Sequence, residues 1–321
     1  MPTSPAIRRD HVADSPPPAR ILLTGGGGFV GRHLVAALRA RWPDAQVLQP
    51  DFDVRDAAAV QAAVTQAAPA CCVHLAAIAS IPAASQNEDA AWQVNLHGTL
   101  HVARAIMAHA PGCQMLFISS ADAYGASFRG GVALDETAPL APMNIYGATK
   151  AAADLALGAM AMQGLRVVRL RPFNHIGAGQ SPDFAIASFA RQIARIEAGL
   201  QPPVLQTGRL DTYRDFLDVE DVCAAYVACI ARRDMIEPGA ILNIASGEPR
   251  RIGDLLDALA VLSDVAMTLS TQTPLLRPTD IPRACGNANR AREVLGWSPG
   301  VPLSATLAAV LADWRARVGT E

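Results

Sequence analysis

The sequence predicts an α/β fold, a doubly wound parallel sheet with a smaller C-terminal lobe. From Arg20 onward, short apolar runs rich in β-branched residues alternate with stretches of helical periodicity. A glycine-rich turn separates the first apolar run from the first helical stretch, and the alternation loosens after Arg171. Strands joined by helices at this spacing form a parallel sheet with helices on both faces.

The individual elements follow from these patterns. Apolar runs predict strands over residues 21–24, 46–49, 71–76, 115–119 and 165–170. Helical periodicity predicts helices over residues 29–41, 57–68, 90–110, 146–163 and 303–318. We expect residues 20–171 to form the sheet domain, with some later segments returning to it. Residues 172–321 then form mainly the second lobe.

The composition limits the functional classes. The 321 residues are 51% hydrophobic and 17% charged, which is enough to bury one large core. A formal net charge of -2 provides no basic field for a nucleic acid, so nucleic acid is excluded as a partner. The six cysteines form no CxxC pair, and four of them lie in apolar runs. They indicate free thiols in a reducing compartment, and we predict no metal site.

The N-terminal residues 1–19 are rich in proline and lack the apolar stretch of a signal peptide. No later segment reaches the roughly 18 uninterrupted apolar residues that a membrane-spanning helix needs. We therefore expect a flexible leader on a cytoplasmic protein that has no membrane partner.

A glycine-rich turn carries the first functional signal. Gly25, Gly28 and Gly31 lie between the first strand and the first helix. Glycine permits a tight turn, lets the backbone approach a pyrophosphate and leaves the phosphate charge at a helix N-terminus. A turn without a ligand is the alternative reading. The place of this turn in the strand and helix series favours a dinucleotide, NADP or NAD.

The second strand does not indicate which dinucleotide binds. Dinucleotide-binding folds usually have an acidic residue at the end of this strand, where it binds the adenosine ribose. This sequence has no clear acidic residue there, because the strand runs into Gln49. Asp53 and Val54 could flank the adenine, and Arg32 could meet a 2′-phosphate. All three could equally be ordinary surface or capping residues, so NAD and NADP both stay open.

A tyrosine and a lysine point to proton chemistry. Of the 27 lysines and arginines only one is a lysine, Lys150, and it follows Tyr146 by four residues at the start of a predicted helix. This spacing places both side chains on one helix face. A nearby ammonium is expected to lower the pKa of the tyrosine, which could then exchange a proton with a carbonyl oxygen. A chance helical pair is the alternative.

Two serines follow the fourth strand. Ser119 and Ser120 leave its carboxyl end, the edge where open α/β sheets bind their ligands. Ser120 can donate a hydrogen bond to the oxygen that Tyr146 protonates. Serines after a strand are also common as plain turn residues.

These motifs together resemble the extended short-chain dehydrogenase/reductase family, the NAD-dependent epimerase/dehydratases. The resemblance extends from Arg20 over nearly the whole chain and includes the segments 74–77, 120–125 and 146–150. It implies a Rossmann domain, a nucleotide-sugar lobe and the catalytic set Ser120, Tyr146 and Lys150. The implied cofactor contacts are Gly25, Gly28, Phe29, Val30, Gly31, Asp53, Val54, Leu75, Ala76, Ala77, Asn95, Ser119, Tyr146, Lys150 and Pro172.

Later segments resemble one group of this family, the GDP-4-dehydro-6-deoxy-D-mannose reductases that form GDP-D-rhamnose. The likeness lies in residues 169–180, 214–219, 277–280 and 295–297. It implies that Asn174 contacts the sugar or phosphates, Arg214 and Arg277 the diphosphate, and Asp280 the nucleotide ribose. Arginine forks suit phosphate oxygens, although each of these residues could also form a surface ion pair.

Asp122 separates this chain from the sugar 4,6-dehydratases of the family. Those enzymes carry a glutamate at this place as the base that removes the C5 proton. Aspartate is shorter by about 1 Å, which can cost on the order of 100-fold in proton transfer. We therefore expect a reductase, with an epimerase or dehydratase as the nearest alternative and a non-catalytic NAD(P)-binding protein as another. The family also implies a homodimer formed through the helices 95–110 and 146–163.

Overall fold

The computed structural model describes residues 14–271 and 281–320. Its strands are β1 (Arg20–Thr24), β2 (Gln46–Leu48), β3 (Cys71–His74), β4 (Gln114–Ile118), β5 (Val167–Pro172), β6 (Asn174–Ile176), β7 (Val204–Thr207), β8 (Tyr213–Asp218), β9 (Ile241–Ile244), β10 (Pro249–Arg251), β11 (Thr268–Thr271) and β12 (Arg283–Ala284). Its α-helices are α1 (Phe29–Arg41), α2 (Ala57–Ala67), α3 (Ile81–Gln86), α4 (Glu88–Trp92), α5 (Thr99–His109), α6 (Ile145–Ala161), α7 (Ala185–Glu197), α8 (Val219–Ala231), α9 (Ile252–Ala260), α10 (Asn289–Leu295) and α11 (Leu303–Val318).

The main sheet confirms the predicted fold class. Six strands lie in the order β2, β1, β3, β4, β5, β9, and every neighbouring pair is parallel. The strand order reverses at β1, which has β2 on one side and β3 on the other. In open α/β sheets this point forms a crevice at the carboxyl ends of the strands.

Helices cover both faces of this sheet because alternate strand residues point to opposite sides. Ile21 and Leu23 join the core formed with α1 and α8, whereas Leu22 joins the core formed with α2, α5 and α6. Apolar side chains therefore pack against both faces of the sheet.

The second lobe is built around β8. This strand pairs in parallel with β6 and β12 and antiparallel with β10, while β7 and β11 form a separate parallel pair. Helices α7, α9 and α11 pack together around a core that includes Trp314. The chain leaves this lobe to place α8 against α1 and β9 beside β5, so the two parts of the fold are interwoven.

Two features differ from the predictions. The helix expected over 90–110 is interrupted by a wider π-helical turn at residues 93–98, between α4 and α5. Residues 14 and 15, near the end of the leader expected over residues 1–19, contact the folded domain. The Ser15 amide donates to the Ala231 carbonyl at 2.7 Å, and Asp14 pairs with Arg41 at 2.9 Å. Among the residues described, none of the helices is both long and apolar enough to cross a bilayer.

Candidate active site

The glycines of the loop fall into two groups, those in close contact with other backbone atoms and those beside open space. Gly25 has a φ of +72°, and a Cβ there would lie 2.7 Å from the Ala76 nitrogen. A Cβ at Gly31 would lie 2.4 Å from the Gly26 carbonyl oxygen. In contrast, a Cβ at Gly28 meets only the Gly25 oxygen at 3.3 Å, and one at Gly27 meets nothing within 4 Å. Packing therefore requires glycine at 25 and 31, whereas the space beside 27 and 28 fits a pyrophosphate.

A buried hydrogen-bond network fixes the strand ends beside this loop. The Thr99 hydroxyl donates to the Asn95 carbonyl at 2.7 Å, so it must accept from His74 Nε2 at 3.0 Å. His74 Nδ1 then accepts from the Thr24 hydroxyl at 2.6 Å. Burial and the charge of Lys150 lower the pKa of His74 to about 3, which keeps the ring neutral. Thr24 also accepts from the Ala76 amide, so the network joins β1 to the segment after β3.

Asn95 links the π-helical turn to the segment after β3 and to α6. Its side chain is completely buried, accepts from the Ile78 amide at 2.8 Å, and donates to the Ile78 carbonyl and the Thr149 hydroxyl. Both amide hydrogens are thereby used by the protein. Because both of its donors have partners, Asn95 positions the segment after β3 against α6, and its predicted contact with the cofactor stays a prediction.

The start of α6 brings the tyrosine and lysine to the carboxyl edge of the sheet. The Asn144 side chain caps the helix by accepting from the Gly147 amide at 2.7 Å. A Cβ at Gly147 would lie 2.7 Å from the Asp122 carbonyl oxygen, so glycine lets the helix approach the turn that follows Ser120. Tyr146 and Lys150 are both buried on this inner face.

Lys150 is anchored to the end of β4. Its ammonium donates to the Ile118 carbonyl at 2.8 Å, and only 3% of the residue is exposed. Burial disfavours the charged form and lowers the pKa of Lys150 to about 8. This amine therefore titrates near physiological pH, which an arginine at this position would not do.

Tyr146 differs from the expectation. Burial and the negative charge of Asp122 raise the pKa of Tyr146, while a hydrogen bond with Ser120 acts in the opposite direction. The prediction that Lys150 lowers this pKa is wrong. Lys150 is turned to Ile118, and the loss of solvent dominates at the phenol. A protonated phenol is the form needed to donate a proton to a ketone oxygen.

The two serines after β4 have different environments. Ser120 accepts from the Asp122 amide at 3.1 Å, starts the short helical turn 121–123 and forms a hydrogen bond with Tyr146. The Ser119 hydroxyl is buried and has no hydrogen-bond partner. Because buried polar groups are rarely left unpaired, this hydroxyl fits a contact with a bound cofactor.

The residues predicted to contact the adenosine lie at and after the end of β2 and in α1. Gln49 lies against Gly26 at the end of β2, and no acidic side chain takes this place. Asp53 forms an exposed ion pair with Arg55, whose hydrogen bonds lower the pKa of Asp53 to about 2. Val54 is buried. Arg32 donates to the Gly27 and Gly179 carbonyls, so its guanidinium lies beside the glycine loop.

The other predicted contacts follow β3 and β5 or lie in the second lobe. Leu75, Ala76 and Ala77 follow β3 and are partly exposed, and Pro172 is buried at the end of β5. Asn174 is exposed on β6. Arg214 on β8 donates to the Tyr213 and Ile281 carbonyls at 2.8 and 2.7 Å. The remaining two predicted substrate contacts, Arg277 and Asp280, lie outside the described residues.

Sequence reasoning missed the groups that hold α6 against the sheet. Asp154 is completely buried and accepts hydrogen bonds from both Arg169 and Arg171 of β5. Charged residues in an alanine-rich helix and in an otherwise apolar strand were the available signal, because buried charges are nearly always paired.

Comparison with known proteins agrees with this geometry. The model of the NAD dependent epimerase/dehydratase family matches residues 21–245. A GDP-6-deoxy-D-mannose reductase of Pseudomonas aeruginosa is 36% identical over 94% of this chain and 99% of its own length. A GDP-6-deoxy-D-talose 4-dehydrogenase of Aggregatibacter actinomycetemcomitans is 27% identical over 86% of this chain and 91% of its own.

Solved structures give the same relationship. The structure of RMD from Pseudomonas aeruginosa complexed with NADPH superposes with a TM-score of 0.86 at 34% identity, covering 93% of this chain and 99% of that one. A UDP-glucose 4-epimerase of Thermus thermophilus in complex with NAD has a TM-score of 0.80 at 26% identity, covering 92% and 99%. The glycine loop, the parallel sheet and these matches have one explanation: the chain belongs to the NAD dependent epimerase/dehydratase family.

Proposed function

We propose that this protein reduces the C4 ketone of GDP-4-dehydro-6-deoxy-D-mannose to GDP-D-rhamnose, using NADPH or NADH. The observation that carries the proposal is the cluster of Ser120, Tyr146 and Lys150 at the carboxyl edge of the sheet, with Tyr146 kept protonated by its surroundings. A reductase needs a proton donor that is already protonated when the ketone binds. Similarity to the Pseudomonas reductase supports the choice of a GDP-linked sugar.

Different residues of this chain would bind the cofactor and donate the proton. The glycine loop, the Ser119 hydroxyl and Lys150 would hold the dinucleotide, which when bound supplies the hydride for the sugar C4 atom. Tyr146 donates its proton to the ketone oxygen as negative charge develops there. Ser120 donates a hydrogen bond to the same oxygen, and Lys150 provides positive charge that stabilises the resulting phenolate.

Asp122 distinguishes reduction from dehydration. It lies close enough to Tyr146 for its charge to raise the pKa of the phenol. A carboxylate this close to the reacting ketone could act as a base, but its short side chain reaches less far than a glutamate. Dehydration and C4 epimerisation are the alternative activities for these residues, and cofactor binding without catalysis is the third alternative.

The same proposal covers binding partners and location. Residues 172–321 would form mainly the nucleotide-sugar lobe, with Asn174 and Arg214 as substrate contacts. A homodimer through α5 and α6 is consistent with the outward side chains of Leu155, 62% exposed, and Met162, 90% exposed. A cytoplasmic location is consistent with six cysteines that are all unpaired.

A cofactor-oxidation assay tests the proposal. The protein is supplied with GDP-4-dehydro-6-deoxy-D-mannose and either NADPH or NADH, and the product is analysed by mass spectrometry. We expect one cofactor oxidised per sugar and a product heavier than the substrate by two hydrogens. Loss of water from GDP-mannose without added reductant indicates a dehydratase, an isomeric product indicates an epimerase, and binding without turnover of any 4-keto nucleotide sugar indicates a non-catalytic protein.

A further inference from the structure

Arg171 occupies an unusual position at the end of β5. The residue is only 3% exposed and lies one residue before the strand ends at the active-site edge. Its guanidinium donates to three separate parts of the chain: Asp154 on α6, the Tyr124 hydroxyl and the Glu136 carbonyl. Four of its five N–H groups are thereby used within the protein.

One contact of Arg171 fixes the helix that carries Tyr146 and Lys150. Asp154 follows these residues by eight and four positions, so all three lie along one face of α6. Its two carboxylate oxygens accept from Arg171 Nε and Arg171 Nη2, both at 2.9 Å. A two-point contact of this kind fixes orientation as well as distance, and so limits rotation of the helix about its axis.

A second contact of Arg171 fixes the turn that carries Ser120. Arg171 Nη1 donates to the Tyr124 hydroxyl at 3.0 Å, and that hydroxyl donates to Asn243 Oδ1 at 2.8 Å. The guanidinium also lies 5.0 Å from the centre of the Tyr124 ring. Arg171 and Asn243 are register partners on adjacent strands, so Tyr124 is tied to two strands at once.

We infer that Arg171 is a positioning residue that sets the spacing between the Tyr146 and Lys150 face of α6 and the Ser120 turn. Arg171 donates hydrogen bonds both to Asp154 on α6 and to Tyr124, which ends the turn that follows Ser120. The inference rests on the proposed function insofar as these residues act on one ketone oxygen. A displacement of about 1 Å between Ser120 and Tyr146 is then expected to cost up to about 100-fold in rate.

Arg169 provides a matched control. It lies two residues earlier on the same strand and donates to the same Asp154 carboxylate at 3.1 Å, but its other side-chain hydrogen bonds go to the Asp154 and Gly239 carbonyls. Arg169→Lys weakens a similar partly buried ion pair without touching Tyr124. A loss of stability that both variants share can therefore be separated from a displacement of the Ser120 turn, which only Arg171→Lys should cause.

The experiment compares Arg171→Lys, Tyr124→Phe and Arg169→Lys in the full chain. We expect the first two variants to lower kcat by about 10- to 100-fold with cofactor Kd and sugar KM changed by less than about 3-fold. The Tyr124→Phe and Arg171→Lys double variant should lose little more than Arg171→Lys alone, because Arg171→Lys already removes the hydrogen bond to the Tyr124 hydroxyl. Arg169→Lys should keep kcat while its melting temperature falls.

Hydrogen exchange of the peptide containing residues 120–125 gives a readout that needs no substrate. We expect faster exchange in Arg171→Lys and Tyr124→Phe, and wild-type exchange in Arg169→Lys. Tyr124→Phe keeps the test decisive if Arg171→Lys does not fold. Unchanged exchange, or an equal loss of kcat in all three variants, would overturn the inference. A wild-type protein inactive on the keto sugar refutes the proposed function instead, and leaves the exchange comparison to decide the positioning role.

Discussion

The ammonium of Lys150 is held 2.8 Å from the carbonyl oxygen of Ile118, at the end of the strand that leads to the two active-site serines. The contact draws the amine into a buried site that lowers its pKa to about 8. The lysine therefore has a fixed position and a charge that depends on pH in the physiological range.

The first prediction concerns the pH dependence of this charge. Because the protonated amine is the form that supports Tyr146 and the cofactor, kcat/KM for reduction should fall as pH rises through about 8. In Lys150→Arg the guanidinium stays charged, so a lower but flat rate is expected above this pH. A steady-state pH profile checks both, and persistence of the alkaline decline in the arginine variant contradicts the assignment.

The second prediction tests the proton donor. Tyr146→Phe should lower kcat by about 100-fold or more, with cofactor affinity nearly unchanged, because only the phenolic proton is removed. Tyr226→Phe is a matched control, since its hydroxyl is also buried but has no hydrogen-bond partner. That control should keep full activity. Normal turnover by Tyr146→Phe would remove Tyr146 from the mechanism.

The third prediction separates the ligand-facing glycine from the packing glycines. Gly28→Ala should fold normally, because the added Cβ meets only the Gly25 oxygen at 3.3 Å, yet bind NADPH and NADH at least about 10-fold more weakly. Gly31→Ala should instead lower the melting temperature, since its Cβ would lie 2.4 Å from the Gly26 oxygen. Calorimetry and thermal melts measure the two effects, and normal affinity in Gly28→Ala argues against a pyrophosphate at this loop.

The fourth prediction is a pH dependence of stability due to His74. The folded state holds this ring neutral down to about pH 3, whereas the unfolded chain binds a proton near the ordinary value of 6.5. Between these values the unfolded state carries more protons, so the free energy of unfolding decreases as pH falls, by up to about 1.4 kcal/mol per pH unit. His74→Gln should show a shallower acid slope in denaturant titrations. His109→Gln, at the exposed end of α5, should keep the wild-type slope.

Local patterns in the sequence determined much of this protein. Helix α1 spans the predicted residues 29–41 and α11 the predicted residues 303–318, and the glycine loop lies between β1 and α1 as expected. The four-residue spacing of Tyr146 and Lys150 was also sufficient to place both on one face of α6. These features depend on periodicity and on the short-range geometry of the backbone, which the sequence displays directly.

The tertiary structure alone decided how the site residues behave. Burial beside Asp122 reverses the direction expected for the pKa of Tyr146, because solvation depends on segments far apart in the chain. Asn95 forms hydrogen bonds with Ile78 and Thr149, and Arg171 connects two catalytic segments that are 17 and 47 residues away from it. Such partners are chosen by the packing of strands and helices, which local periodicity does not specify.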